Sequence, residues 1–135
     1  MTAGKKPALK VFDGSMSRIP APPKGLDVAA RDEWRRAAQD LIERKVLAKS
    51  DLPALEAYSM AYSMVRKLQP IAADAEPIIM SKAGGVKTHP AHTALQKYLT
   101  IVLRYQAELG LTPASRNRKT MQGPAGDDPF GDFDL

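Results

Sequence analysis

The chain has 135 residues, enough for one ordinary domain and too few for a second full one. It holds no cysteine, which excludes disulfides, thiolate nucleophiles and thiolate zinc sites and makes an intracellular home the simplest expectation. The net charge of +5 is uneven: residues 1–126 carry all 20 Lys and Arg against 11 acids, whereas residues 127–135 carry four Asp and no base. Such a basic body suits a nucleic acid, an anionic membrane surface or an acidic protein.

Aromatic residues make up only 6% of the chain, while Ala, Leu and Met are plentiful, so a core of small and flexible aliphatic side chains is expected. That composition predicts a mainly α fold. Its parts are three principal helices, a small β-hairpin between the second and third, a short C-terminal helix and flexible termini. No stretch approaches the roughly 18 apolar residues of a membrane span, and no signal-peptide run follows Met1 to Lys10, so a soluble protein without a membrane partner is expected. Three segments follow: a basic Pro-rich flexible arm (1–25), a helical DNA-binding and oligomerisation domain (26–119) and a flexible acidic tail (120–135).

The arm reads MTAGKKPALKVFDGSMSRIPAPPKG, with four prolines and three glycines. Lys5, Lys6, Lys10, Arg18 and Lys24 outweigh Asp13 and are candidates for contact with phosphates. Asp27 then reads as an N-cap, and Ala30, Trp34, Ala37, Leu41 and Ile42 recur at helical spacing, predicting a helix over 28–46. Its other side carries Arg31, Arg35, Arg36 and Arg44 among Glu33, Asp40 and Glu43. Arg31, Arg35 and Arg36 are the DNA-contact candidates there. Trp34 sits within the apolar stripe, as a core or subunit-contact anchor.

Ser50 reads as the cap of a second helix opening Asp51-Leu52-Pro53 and ending near Gln69, ahead of Pro70. Apolar residues cover well over half of its circumference, which calls for more than one neighbour. A second copy of the chain is one candidate, with Trp34, Leu41, Leu55, Tyr58, Tyr62 and Val65 as the oligomerisation residues. The short linker Lys45–Lys49 invites a helix-turn-helix reading. Against it, the second helix would enter a groove with Asp51, Leu52, Pro53 and Ala54, none of them basic.

Pro77-Ile78-Ile79-Met80, Gly84-Gly85 and Val86-Lys87-Thr88 predict a hairpin. The diglycine belongs to neither a Walker nor a Rossmann pattern. His89-Pro90 introduces a third helix, about Ala91 to Leu109, with Leu95, Leu99, Val102 and Leu109 on one face and Tyr98, Ile101 and Tyr105 widening it. Gly110 ends that helix, and Thr112-Pro113 starts another turn carrying Arg116, Arg118 and Lys119, further DNA-contact candidates. His89 and His92 lack the glutamate of a zinc-protease helix, and Asp74, Glu76 and Glu108 form no acid/base pair. The chain therefore reads as a non-enzyme, with no cofactor and no metal.

The order of these features is more specific than any one of them. IPAPPKGL, the Trp-bearing ARDEWRRAAQDLIERKVL, SDLPALEAYSMAYS, the Gly-centred hairpin, the His-Pro helix start and ELGLTPASR together resemble phage terminase small subunits, over roughly Pro20 to Arg118. Glu108–Gly110 with Leu111-Thr112-Pro113-Ala114-Ser115-Arg116 is the most specific part. His89 departs from the family pattern, where Asn is more usual before the proline. The resemblance implies a protein in the cytoplasm of a bacterial host that binds double-stranded phage DNA as packaging begins. It also implies assembly into a ring-shaped homo-oligomer and delivery of the DNA to the large terminase subunit, which holds the ATPase and nuclease. The residues themselves also leave open a helix-turn-helix transcription regulator or a scaffolding oligomer.

The last nine residues alternate acids with apolar anchors, a pattern that can order on a basic, apolar groove. Asp127, Asp128, Phe130, Phe133 and Leu135 are the candidates for binding the large subunit.

Overall fold

The structure is a computed structural model and describes residues 14–121, with side chains through Asn117. Its elements are α1 (Val28–Glu43), a 3-10 turn (Lys49–Asp51), α2 (Leu52–Asp74), β1 (Ile78–Met80), β2 (Val86–Thr88), α3 (Pro90–Leu109) and α4 (Pro113–Met121). The fold is mainly helical, with the hairpin between the second and third helices.

Asp27 caps α1 by accepting from the Ala30 amide at 3.0 Å. The helix stops at Glu43, short of the expected residue 46. Lys45 takes a left-handed φ of 58°, and the amides of Lys45 and Val46 close back on the carbonyls of Ile42 and Leu41. The turn usually given to glycine falls here to an exposed lysine, because it swings Leu47 fully inside. Burial of Leu47 outweighs the strain.

Ser50 is not the cap of α2. The 3-10 turn precedes the helix, and Asp51 Oδ2 accepts from the Ala48 amide at 2.9 Å. Nor does the helix end at Gln69, since it continues through Pro70 to Asp74. Pro70 is exposed, so water can reach the Arg66 carbonyl that the missing amide leaves free, while buried Ala72 holds the final turn.

The helix α2 packs against both α1 and α3. Trp34, Ala37, Leu41, Leu47, Leu55, Tyr58, Val65, Val102 and Leu109 form the core between them. The stretch Ser15–Pro20 of the expected flexible arm is tied to this body: Ser15 pairs with Ala48, the Met16 amide donates to Leu47 O at 2.8 Å, and Trp34 Nε1 donates to Pro20 O at 2.9 Å. An indole N–H buried without that carbonyl would be costly, so the anchor of α1 also fixes the arm.

The hairpin is antiparallel, with Ile78 opposite Thr88 and Met80 opposite Val86, and Gly84 supplies the turn with a φ of 88°. Its base is closed by the His89 amide on Pro77 O. His89 Nδ1 then caps α3 by accepting from the Ala91 amide at 3.0 Å, and His92 Nε2 lies 2.9 Å from Ala75 O. Both histidines are thus used in joining the hairpin to the helices. Gly110, at a φ of 74°, ends α3 while the Leu111 amide reaches back to Gln106 O. Thr112 and Ser115 exchange side-chain and amide hydrogen bonds to open α4.

Candidate nucleic-acid interface

The arginines of α1 fall into two kinds. Arg31 is exposed and makes no ion pair among the described residues, and Arg35 faces only Asp32, at 3.6 Å in open solvent. A pair so exposed contributes little, so both guanidinium groups remain available to an anion. Arg36 is committed. Its Nε donates to Glu33 Oε2 at 2.9 Å and its Nη2 to Glu33 Oε1, a fork on a carboxylate that is itself buried. That carboxylate raises the Arg36 pKa above its ordinary value, against the opposing effect of desolvation. Glu33 also accepts from Tyr58, so Arg36 is the outer end of a network that holds the fold.

Contacts of α1 place some of the other basic candidates on the fold. Arg18 and Lys24 are exposed, without ion pairs among the described residues, on either side of the Pro20 carbonyl that Trp34 holds. At the far end of α1, Arg44 binds Asp40 and donates to Gly110 O at 2.7 Å, a cation at the C-terminus of α3. That clamp sets the start of α4 beside the end of α1. Arg116 is exposed on α4, and Arg118 and Lys119 follow on the same helix, their side chains outside the described ones. Lys5, Lys6 and Lys10 lie outside the described residues.

Lys97 and Arg104 were missed as site candidates. They stand seven residues apart on one exposed flank of α3, with no ion pair among the described residues. The spacing was legible, but the reading of that helix followed only its apolar face. Arg66, also missed, stacks over the Tyr62 ring at 5.3 Å.

The residues expected to join copies are placed mostly inside one copy. Trp34, Leu41, Leu55, Tyr58 and Val65 are buried within the protomer and offer no surface to another chain, while Tyr62 is half-buried. Periodicity marks the apolar side of a helix without saying whether the same chain or another covers it. The apolar residues left outside on α2 are Met60 and Ile71, 54% and 55% exposed, on the side opposite the core, with Met64 half-buried between them. The acidic-tail candidates Asp127, Asp128, Phe130, Phe133 and Leu135 lie outside the described residues.

The described helices include none long and apolar enough to cross a membrane. The sequence model of the family described as "Phage terminase, small subunit" matches residues 30–125. That match runs from the first turn of α1 through α4. No curated protein and no solved structure matches the chain.

Proposed function

The chain belongs to the phage terminase small-subunit family, generally non-catalytic and acting in DNA packaging, and from that premise we propose that it recognises double-stranded phage DNA and presents it to the large terminase subunit. The observation that carries the DNA reading is the α1 face, where Arg31 and Arg35 hold guanidinium groups in solvent with no buried partner. Arg18 and Lys24 of the anchored stretch and Arg116, Arg118 and Lys119 of α4 are further candidates for phosphate contact. Lys5, Lys6 and Lys10 would add to them from the chain's start. A few phosphate contacts per chain become a strong field when copies are arrayed in a ring.

The assembly is a ring-shaped homo-oligomer in the host cytoplasm, and its self-contact uses the outer side of α2, Met60, Met64 and Ile71. Exposed apolar side chains aligned at helical spacing are the ordinary material of such contacts. The acidic tail, Asp127 to Leu135, engages the large subunit, which supplies the ATPase and nuclease.

Light scattering and DNA titration over a range of salt test this together. A stable higher oligomer is expected, reduced to smaller species by Met60→Glu without loss of helical signal, with DNA affinity falling steeply as salt rises. A strict dimer that binds one palindromic site would instead support a transcription regulator. An oligomer whose DNA affinity ignores salt would leave a scaffold.

A further inference from the structure

One flank of α3 forms, with the end of β2, a shallow groove of about 510 Å³. Pro90, Ala94, Tyr98 and Ile101 make its apolar wall, and Lys97 stands among them. Ile101 is 39% exposed, a large apolar side chain set between the free cations Lys97 and Arg104 on the same flank. The surface thus offers apolar contact and positive charge in alternation along about three turns of helix. An acidic segment with aromatic anchors is its chemical complement.

The chain carries such a segment. We propose that the groove on α3 is the resting site of the chain's own C-terminal segment, Asp127 to Leu135, with Phe130 and Phe133 against Tyr98 and Ile101 and the aspartates beside Lys97 and Arg104. The inference rests on the reading of that tail as a binding segment, and adds that it is held on its own body until the large subunit takes it.

Length permits this arrangement. Phe130 lies nine residues beyond Met121, a span of up to about 30 Å for extended chain. Ile101 lies eight residues before the end of α3, about 12 Å along the axis, and α4 is about 14 Å long. The groove is therefore within reach of the tail wherever α4 does not point directly away from it. Charge favours the same place: Glu108 shares the flank one turn nearer α4, so the aspartates settle past it, where the two cations are. Linkage in one chain gives the tail an effective concentration on the order of millimolar, so a weak contact is enough to populate the closed form.

The sequence has no cysteine, which makes a disulfide test clean. In the full-length chain, Thr93→Cys, in the lining of the groove, with Gly131→Cys should form an intrachain disulfide roughly tenfold or more faster than Gln39→Cys, at an exposed position on α1, with Gly131→Cys. Adding Phe130→Ala and Phe133→Ala, or Lys97→Glu and Arg104→Glu, should remove the difference. Excess large subunit should slow the Thr93 cross-link. Equal rates for the two pairs would overturn the proposal, as would a cross-link found only between chains, which would assign the groove to a neighbouring copy's tail. If the rates are equal while capture of the large subunit still needs the tail, the groove is wrong and the tail's role stands. If capture does not need the tail, that role fails by itself.

Discussion

Tyr58 Oη donates a 2.5 Å hydrogen bond to Glu33 Oε1, joining α2 to α1 at a point closed to solvent. Arg36 holds the same carboxylate from outside, and Gln106 Nε2 on α3 donates to Tyr58 Oη at 3.2 Å, so three helices meet in one polar knot inside an apolar core. Loss of the tyrosine hydroxyl removes a bond to a charged acceptor. Tyr58→Phe should lower the unfolding free energy by about 1.5–3 kcal/mol. Urea unfolding of Tyr58→Phe, Glu33→Gln and the double variant should show strong coupling. Effects that simply add, within about 0.5 kcal/mol, would mean that the two groups act independently.

The same hydroxyl makes the fold sensitive to alkali. Burial, and then the bond to the Glu33 carboxylate, push the Tyr58 pKa up from 10.0 to about 12. The neutral phenol is therefore favoured in the folded state. Its contribution is fully present below pH 10 and is lost as pH rises through about 12, a loss of about 3 kcal/mol at most. Stability measured across that window should fall in the wild type and fall less in Tyr58→Phe. Parallel curves would show that the titrating group lies elsewhere.

Asp27 sets the opposite limit. Lys67 Nζ at 2.7 Å, then Ser63 Oγ at 2.7 Å and the Ala30 amide, hold its carboxyl well below the ordinary value of 3.8. A depressed folded pKa gives stability that is present above 3.8 and lost as pH falls further. Asp27→Asn can still cap α1 but cannot pair with Lys67 as a charge. Its stability should be lower than wild type at neutral pH and decline less on acidification to about pH 2, as followed by circular dichroism. An unchanged acid limb in Asp27→Asn would contradict the assignment.

The order and type of the elements were legible because periodicity, caps and turn residues act locally. Asp27, Gly84 and Gly110 do in the fold what their chemistry foretells. The errors came where distant packing decided. Lys45 turns left-handed because Leu47 has a place in the core, and Pro70 stays in α2 because the final turn is needed to bury Ala72. The same limit applies to the site. Arg31, Arg35 and Arg36 are alike in the sequence, yet Arg36 alone is tied to a buried carboxylate, and that difference depends on Tyr58, 22 residues further on.

His89 caps α3 through a ring nitrogen. Its Nδ1 takes the capping role that the oxygen of an asparagine would fill at the start of α3. His89→Asn should therefore leave thermal stability nearly unchanged, whereas His89→Ala should cost about 1 kcal/mol. Equal melting of the two variants would show that the cap contributes nothing there.

The two kinds of arginine on α1 should separate in a binding experiment. Arg31→Ala and Arg35→Ala remove groups that hold nothing together, so each should weaken DNA binding, lower the salt dependence by about one phosphate contact and leave the oligomer intact. Arg36→Ala leaves Glu33 as a buried charge with one partner fewer, so its first effect should be on unfolding, at about 1–3 kcal/mol. Any loss of DNA affinity in Arg36→Ala should then follow the loss of folded protein. The measurements are DNA titrations at several salt concentrations with light scattering and urea unfolding on the same samples. If Arg31→Ala and Arg35→Ala bind as wild type in an intact oligomer, the phosphate contacts belong to Arg18 and Lys24 of the arm or to Arg116, Arg118 and Lys119 of α4.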